Sequence, residues 1–337
     1  MKTYIIAEAG VNHNGDLTLA KQLILEAKNA GADCVKFQTF ISEEITTKDV
    51  SLAKYQKENS EAFHGQFDLI KSLELPFEAF KNLQEYASRL NIDFLSTPDD
   101  FYSLNFLIDE LKMQTIKIGS GEITNLPFLK VIGGKKVDVI LSTGMSNIHE
   151  VEKAYNLLID EGARSVSLLQ CTTSYPCPMS DVNLKVIETF KKKFKCSVGF
   201  SDHTLGIHAA ISSIALGAEI LEKHLTLDCS LPGPDHKASL DPNSFKNMVD
   251  AIRDVETAMG DGIKKLVPSE MQNIAIVRRK IVSNGTLNAG TILNNENIKA
   301  KRSNIGIDVA DINNVIGKKL LIPKSNDDPI CQHDLCQ

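Results

Sequence analysis

The stretch SVGFSDHTLGIHAAISSIALGAEILEKHLTLD, residues 197–228, decides the fold of this chain. It contains two short apolar runs, SVGFSD and EILEKH, and a histidine follows the first run and ends the second. His203 and His224 lie 21 residues apart, which excludes a single helix that presents both imidazoles, as in the His-Glu-x-x-His zinc motif. If the two runs are neighbouring strands of a (β/α)8 barrel, both histidines lie at the C-terminal strand ends, where such barrels carry their active sites.

Two imidazoles at adjacent strand ends form a candidate site for a divalent cation. Imidazole suits zinc, iron, nickel and copper, and a site that also contains carboxylate and water holds manganese or magnesium. Asp202 and Glu222 lie beside the two histidines and supply carboxylates. A single histidine at a strand end is more often a hydrogen-bonded structural residue, so the prediction depends on the pair.

The rest of the first 224 residues alternates short β-branched runs with amphipathic stretches, which predicts repeated βα units. Eight candidate strands are present: YIIAEAG, DCVKFQ, IDFLST, TIKIGS, DVILST, SVSLLQ, SVGFSD and EILEKH. Eight is the number that closes the barrel. The sequence therefore predicts an α/β protein with a (β/α)8 TIM barrel, followed by a small β-rich C-terminal domain.

Local signals set the domain boundaries. Asp241 and Pro242 predict the start of the last barrel helix, whose apolar side includes Met259, and Gly260 predicts its end. The following segment is rich in glycine, proline and charge, so we expect the barrel over residues 1–260, a linker over 261–277 and the β-rich domain over 278–337. The long stretch between strands two and three, residues 41–91, predicts an elaborated loop over the catalytic face, with a polar segment over 54–65.

Composition narrows the class of protein. The 37 Lys and Arg residues are scattered and the net charge is -6, so no footprint for nucleic acid is visible. The N-terminal apolar stretch is too short for a signal peptide, and no later run approaches the length that spans a membrane. Seven cysteines without a CxxC pair indicate reduced thiols. We therefore expect a cytoplasmic protein with small-molecule substrates.

Polar residues stand at the ends of the predicted strands, where parallel strands are usually apolar. They are Glu8, Lys36, Gln38, Thr97, Lys117, Ser120 and Glu122. A buried ammonium needs a partner, and either a protein carboxylate such as Glu8 or Glu122 or an anionic ligand would satisfy it. Because two lysines share this end with hydroxyl groups that also include Ser142 and Ser201, the pattern favours a phosphate or carboxylate substrate.

Nine motifs, in this order along the chain, carry a family resemblance: AEAGVNHNG, VKFQTF, FLSTP, KIGSGEITN, STGM, CTTSYP, GFSDHT, LEKHLTLD and PGPDHKASLDP. The chain resembles the sialic acid synthases, the bacterial nonulosonate synthases that condense phosphoenolpyruvate with an N-acylated mannose-type sugar. The C-terminal part is similar to the antifreeze-like (SAF) domain of these enzymes. The resemblance covers essentially the whole length.

The resemblance implies a role for each matching residue. His203 and His224 correspond to the ligands of Mn²⁺, for which Mg²⁺ or Co²⁺ is an alternative. The positions that hold phosphoenolpyruvate are Lys36, Thr97, Lys117, Ser120, Ser142 and Ser201. The positions on the side of the acceptor sugar are Glu8, Gln38, Glu122, Tyr175 and Glu222. Among the three glutamates, Glu222 or Glu8 is proposed to manage the protons, and the sequence leaves the choice open.

The SAF-like part brings one further expectation. Arg302, in the segment KRSNIGI, matches the arginine that contacts the sugar's N-acyl group, and in the family it does so across a domain-swapped homodimer. The chain departs from the pattern here, because Ser303 and Asn304 stand where Pro-Gly is usual. A second departure is Asp99, where an aromatic residue is common. These positions are where the sequence predicts differences in sugar contact.

Several functions remain open at this level. The leading acceptor is N-acetylmannosamine, which gives N-acetylneuraminate, and the alternative is a 2,4-diacetamido-2,4,6-trideoxymannose, which gives N,N'-diacetyllegionaminate. A condensation onto a phosphorylated aldose, as in the heptulosonate and octulosonate synthases, is disfavoured by the SAF-like tail. A non-catalytic barrel that binds sugar or metal is disfavoured by the retained histidines, lysines and glutamates.

Overall fold

Eight parallel strands form a nearly closed barrel in the first of two compact units, Met1–Gly260. The structure is a computed structural model and describes residues 2–59, 63 and 65–336. The strands are β1 (Tyr4–Gly10), β2 (Cys34–Thr39), β3 (Asp93–Pro98), β4 (Thr115–Ile118), β5 (Asp138–Ser142), β6 (Ser165–Cys171), β7 (Val198–Asp202) and β8 (Ile220–His224). Their order is β3-β2-β1-β8-β7-β6-β5-β4, and β3 packs beside β4. The eight predicted strands and the predicted (β/α)8 barrel are confirmed.

The strand register brings the polar strand ends to one level. Glu8 of β1 pairs with Lys36 of β2 on one side and with His224 of β8 on the other. Ser201 of β7 pairs with Glu222 of β8. Successive residues of a strand point to opposite faces, so Glu222 and His224 share one face while Lys223 between them points to the other.

The helices of the first unit cover the outer face of the barrel, except for the three short ones between β2 and β3 that lie over its C-terminal end. The helices of this unit are α1 (Leu17–Asn29), α2 (Ser42–Ile45), α3 (Lys54–Asn59), α4 (Gln66–Leu73), α5 (Phe77–Arg89), α6 (Phe101–Asn105), α7 (Leu126–Gly134), α8 (Ile148–Glu161), α9 (Val186–Lys193), α10 (His208–Ala215) and α11 (Pro242–Met259). The buried face of α1 consists of Ala20, Leu23, Ile24 and Ala27, which are fully covered. Its N-terminus is capped by Asp16, whose carboxylate accepts from two backbone amides of the first turn.

The segment between β2 and β3 is a folded cap and not the loop that the sequence predicted. Its first part forms the short helices α2, α3 and α4, and α5 then returns to the barrel. Val11, Phe40, Leu52, Leu69 and Leu73 pack into a small core of their own. This burial is long-range in origin, so the local polarity of residues 54–65 does not reveal it. Residues 60–62 and 64 of that polar segment lie outside the described residues.

The cap lies over the C-terminal ends of the strands. The Asn59 side chain donates to the carbonyl of Pro234, at 3.0 Å, in the loop that follows β8. At the other side, Gly15 in the turn after β1 has φ +76°, and a Cβ at this position would meet the Ser72 carbonyl oxygen at 2.6 Å. Glycine is therefore required here both for its backbone angle and for the close approach of the cap.

The last barrel helix, α11, begins and ends as predicted. Asp241 caps it by accepting from the amides of Asn243 and Ser244, Pro242 occupies the first turn, and Gly260 ends it with φ +59°. The predicted apolar side is wrong at its last residue. Met259 is exposed, because the buried face of α11 ends at Ile252 and the final turn extends beyond the barrel core.

Charged side chains tie α11 to the N-terminal end of the barrel. Arg253 bonds the Asp33 carboxylate at 2.7 Å, the Glu256 carboxylate at 2.9 Å and the Thr3 carbonyl at 2.9 Å. Asp33 in turn accepts from the backbone amide of Ile5 at 3.0 Å. This cluster joins β1, the turn before β2 and the last helix at the end of the barrel remote from the histidines.

The second unit, Asp261–Gln337, has its own small core. It contains α12 (Pro268–Val277) and an antiparallel pair formed by β9 (Arg279–Ser283) and β10 (Ile298–Arg302). Its core includes Ile281, Leu293, Ile298 and Ile330. Among the helices described in either unit, none combines the length and the apolar character needed to cross a membrane.

Candidate active site

A cavity of about 190 Å³ lies at the C-terminal end of the barrel. Its lining residues come from strand ends or the turns directly after them. Those that the sequence singled out are Glu8, Lys36, Gln38, Thr97, Lys117, Ser120, Ser142, Tyr175, Ser201, His203, Glu222 and His224. The C-terminal ends of parallel strands converge at one end of a barrel, and this is why residues far apart in the chain meet here.

Lys36 lies between two carboxylates on one side of the cavity. Its ammonium is 2.7 Å from the Glu8 carboxylate and 3.6 Å from that of Glu222, and it donates to the Thr97 hydroxyl at 3.0 Å. The side chain is buried, which opposes its charge, but Glu222 and Glu8 outweigh this effect and raise the pKa of Lys36. Lys36 is therefore a fixed positive charge inside the cavity.

Lys117 faces Lys36 across Glu222. Its ammonium donates to the Ser142 hydroxyl at 2.7 Å and lies 3.4 Å from the Glu222 carboxylate. Burial lowers the pKa of Lys117, and Glu222 only partly offsets this effect. Lys117 is thus the less well compensated of the two ammonium groups, and an incoming anion would satisfy it.

The pKa values of the two glutamates of the cavity are shifted in opposite directions. Burial raises the pKa of Glu8 to about 7, against the effect of Lys36. Burial acts in the same direction on Glu222, but Lys117 and Lys36 prevail and lower its pKa to about 2. The Ser201 hydroxyl also donates to Glu222 at 2.9 Å. Two carboxyl groups whose environments separate their pKa values are the usual arrangement for acid and base roles.

The two histidines meet beside this charged group. Their ring centroids are 5.4 Å apart, and the Tyr175 ring lies 4.1 Å from that of His203 and 5.8 Å from that of His224. His203 Nδ1 is 2.8 Å from the Thr172 carbonyl oxygen, so this nitrogen carries a proton, and in the neutral ring Nε2 has the free lone pair. A backbone carbonyl that fixes the tautomer in this way is a common partner of a metal-bound histidine.

His224 supplies the observation that tests whether a cation fits. Its Nδ1 is buried and makes no hydrogen bond to any described residue, and the nearest carboxylate oxygen, on Asp235, lies 4.0 Å away. Burial also lowers the pKa of His224 well below its usual range, so the ring is neutral and available as a ligand. The two histidines, with Asp235 nearby, fit a divalent cation.

A different donor cluster lies in the second unit. Among the described residues, Cys331, His333 and Asp334 place three possible metal-ligating atoms within 4.8 Å of one another. The Asp334 carboxylate already pairs with Lys324 at 2.7 Å and accepts from the Cys331 amide. This cluster is accounted for by the ion pair and shares no residue with the two histidines.

The structure does not bring two of the predicted residues into the cavity. Glu122 is absent from its described lining, because Ser120–Glu122 forms a 3-10 turn after β4, and its carboxylate accepts from Asn125 Nδ2 at 2.6 Å. Arg302 ends β10 in the second unit, where it is exposed. The predicted roles of both residues stay predictions.

Cys171 and Asp99 line the cavity and Asp235 lies beside His224, and none of these three was named as a site residue from the sequence. Cys171 ends β6 with its sulfur 3.8 Å from His203 Nδ1, and Asp99 follows β3. Burial raises the pKa of Asp99 to about 7. Asp235 lies in the glycine- and proline-rich loop after β8, and burial raises its pKa to about 6. The position directly after a strand was an available signal for Asp99, whereas no strand pattern points to Asp235.

A third buried lysine lies directly behind the cavity. Lys223 is fully buried on the outer face of β8, where its ammonium is 2.9 Å from the Asp202 carboxylate and also donates to the Thr204 carbonyl. Its partners lie on β7 and in the turn that follows. Lys223 therefore has a structural ion pair, in contrast to Lys117 on the inner face.

The chain is similar to several known proteins. The profile of the NeuB family matches residues 23–264. The chain is 47% identical to the N,N'-diacetyllegionaminic acid synthase of Campylobacter jejuni, over 94% of this chain and 95% of that protein. It is 45% identical to the enzyme of the same name from Legionella pneumophila, over 95% and 91%. A crystal structure of N-acetylneuraminic acid synthetase from Leptospira borgpetersenii in complex with citrate superimposes with a TM-score of 0.71 at 34% identity, and covers 81% of this chain and 90% of that one.

Proposed function

The chain belongs to the NeuB family, and on that premise we propose that it is a nonulosonic acid synthase. It condenses phosphoenolpyruvate with an N-acylated mannose-type sugar and releases phosphate. Membership of the family also confirms the resemblance to the sialic acid synthases. The class of enzyme is a phosphoenolpyruvate-dependent transferase.

The observation that carries this proposal is the pair of buried ammonium groups at the mouth of the barrel. Lys36 and Lys117 are balanced in the free protein by Glu8 and Glu222. Phosphoenolpyruvate is a highly charged anion, and the two lysines with the hydroxyls of Thr97, Ser120, Ser142 and Ser201 provide the donors that its phosphate and carboxylate need. Such a site orients the enol without covalent attachment.

The glutamates are placed for the proton transfers of the reaction. Carbon 3 of phosphoenolpyruvate forms a bond to the sugar's aldehyde carbon, water adds at carbon 2, and the bond from carbon 2 to the phosphate oxygen breaks. As carbon 2 becomes a ketone the water gives up both of its protons, one to the aldehyde oxygen and one to the departing phosphate. Glu8, with a pKa of about 7, exchanges protons near neutral pH, whereas Glu222 stays ionised and holds the lysines in position. We therefore assign the proton transfer to Glu8 and not to Glu222 or Glu122.

His203 and His224 would hold a divalent cation, for which we propose Mn²⁺, with Mg²⁺ or Co²⁺ as substitutes. A cation at this position would act as a Lewis acid on the aldehyde of the open-chain sugar. The unpartnered Nδ1 of His224 supports this assignment. The Tyr175 ring packs against both imidazoles.

The identity of the acceptor is proposed from the relatives. The sequence alone favours N-acetylmannosamine, but the N,N'-diacetyllegionaminic acid synthases are more similar, at 47% and 45% identity, than the N-acetylneuraminic acid synthetase at 34%. We therefore propose 2,4-diacetamido-2,4,6-trideoxymannose as the acceptor and N-acetylmannosamine as the second candidate. The protein is further proposed to act in the cytoplasm as a homodimer, in which Arg302 of the SAF-like unit contacts the sugar's N-acyl group on the partner's barrel.

The test is a product assay with both sugars. Purified protein with Mn²⁺ and phosphoenolpyruvate is incubated with each acceptor, released phosphate is measured, and the products are separated by mass spectrometry. The expected result is stoichiometric phosphate and a nonulosonic acid, with the diacetamido sugar preferred. Sugar binding without phosphate release from either acceptor would contradict the proposal and favour a non-catalytic barrel.

A further inference from the structure

A second chamber opens beside the active-site cavity. It has a volume of about 270 Å³ and lies between the strand ends and the cap. Four residues, Gln38, Asp99, Tyr175 and His224, line both the chamber and the cavity. The two spaces are therefore adjacent, and only these four side chains are common to both linings.

Part of the chamber lining forms an apolar wall that is already packed in the absence of a ligand. Phe40, Leu69 and Leu73 are buried in the small core of the cap, and Ile45 and Ile70 pack against that core while partly exposed. All five line the chamber. Because their packing is complete without a ligand, the wall does not need to rearrange before an apolar group can bind.

The charges around the chamber exclude one class of ligand. Asp99 and Asp235 line it, and among its described lining residues none is a lysine or an arginine. A phosphate group here would leave water for an apolar wall with two carboxylates nearby and no cation to pair with. A neutral group meets no such penalty.

We infer that this chamber binds the end of the acceptor sugar remote from its aldehyde, and that it selects a sugar with a methyl group and an acylated nitrogen there over one with a hydroxyl or a phosphate. The inference rests on the proposed function, which places the aldehyde near His224. From there the chain of the open sugar passes Gln38 and Asp99, and its last carbons reach Ile45 and Ile70.

The discrimination follows from the chemistry of the wall. A methyl group at carbon 6 gains from leaving water for the side chains of Ile45, Ile70 and Leu73. A hydroxyl at the same carbon loses its hydrogen bonds to water where it meets these three side chains. The polar lining residues, among them Gln38, Gln56, Asp99 and Asp235, would have to replace those bonds. A hydrophobic pocket separates ligands that differ in one such group by about 10- to 200-fold in kcat/KM.

The test changes the wall and measures acceptor preference. Ile70→Thr, alone and with Ile45→Thr, keeps the branched shape and introduces hydroxyl groups at two partly exposed positions of the wall. The matched control is Leu52→Thr, since Leu52 belongs to the same small core but is not among the residues that line the chamber. For each protein, kcat/KM is measured at saturating phosphoenolpyruvate with the diacetamido trideoxy sugar, with N-acetylmannosamine and with N-acetylmannosamine 6-phosphate.

The expected result is a fall of about 10-fold or more in the preference for the trideoxy sugar in the double variant. The KM for phosphoenolpyruvate should stay unchanged, and Leu52→Thr should retain the wild-type preference even if its melting temperature is lower. The 6-phosphate should be the poorest acceptor of the wild-type protein.

The outcomes separate the inference from the proposed function. If the wild-type protein condenses no sugar with phosphoenolpyruvate, the proposed function fails and the inference fails with it. If it condenses them, but the double variant keeps the wild-type preference, only the chamber assignment is overturned. The same holds if Leu52→Thr alters the preference as strongly as the double variant, or if the wild-type protein prefers the 6-phosphate.

Discussion

Replacement of Lys117 by methionine should remove about half or more of the stabilisation that phosphoenolpyruvate gives to the protein. Methionine is similar in length and apolar, so it fills the buried volume without the charge that burial disfavours at this position. What the variant lacks is the ammonium that donates to Ser142 and lies 3.4 Å from Glu222. In the bound state this ammonium is proposed to pair with the substrate anion.

The size of the effect follows from the contact that is lost. A hydrogen bond to a charged group contributes about 1.5–3 kcal/mol, which corresponds to a loss of affinity of about 10- to 150-fold. At a ligand concentration of about 100 Kd, the wild-type protein gains about 2.7 kcal/mol, and a variant weakened to that extent gains only about 0.3–1.4 kcal/mol. For a domain of this size 1 kcal/mol corresponds to about 2–4 °C in Tm, so the ligand-induced shift should fall to about half or less.

The assay is thermal unfolding with and without phosphoenolpyruvate, and the chain offers a matched control. Lys223→Met also removes a buried ammonium, but one that faces away from the cavity and pairs with Asp202. It should lower the stability of the free protein by about 3–5 kcal/mol because the buried Asp202 loses its partner, while its shift on adding ligand stays at the wild-type value. A full ligand-induced shift in Lys117→Met, or its loss in Lys223→Met, would refute the placement of the anion site.

Three further predictions concern other parts of the chain. Added Mn²⁺ should raise the Tm of the wild-type protein and a chelator should stop phosphate release, whereas His224→Ala should show no Mn²⁺-induced shift; a retained shift would place the metal elsewhere. Asp33→Asn should cost about 1–3 kcal/mol at neutral pH because it weakens the bond to Arg253. Lys2, the Ile5 amide and Arg253 lower the pKa of Asp33 against the effect of burial. The contribution of Asp33 to stability is therefore complete above the unfolded pKa of about 4 and disappears as the pH falls through the folded value. In chemical unfolding at several pH values, the difference in unfolding free energy between the wild-type protein and Asp33→Asn should vanish in acid, and a constant difference would contradict the assignment. For the proposed homodimer, co-expressed Lys117→Met and Arg302→Ala chains should recover about a quarter of the wild-type activity, since half of the dimers are mixed and each has one intact site; no recovery would mean that Arg302 does not act on the partner.

The sequence was sufficient for the barrel because its strands are marked locally. The run from Glu219 to His224 contains a short apolar pair and ends in three polar residues at a strand end, and the two-residue side-chain period of a strand alone places Glu222 and His224 on one face. The same rule does not extend past the strand. After Ile118 the backbone turns into a 3-10 helix, which leaves Ser120 in the lining of the cavity and Glu122 out of it.

The cap and its chamber were beyond sequence reasoning for a different reason. Phe40 and Leu69 lie 29 residues apart and meet only in the small core of the cap, and nothing in their immediate neighbours indicates that contact. Asp235 was likewise not identified, because its position beside His224 is set by the course of a loop and not by a periodic pattern. Tertiary contacts of this kind decide burial independently of local polarity.

The placement of Lys223 between Glu222 and His224 has a consequence for how the barrel assembles. A slip of β8 by one residue would reverse every side chain of the strand. It would drive a glutamate and an imidazole into the aliphatic layer under the helices and take Lys223 away from Asp202. Each of these changes leaves a buried polar group without a partner, so closing the barrel with β8 out of register costs free energy on both faces of the strand. The polar residues that form the cavity thereby also fix the register of the strand on which they lie.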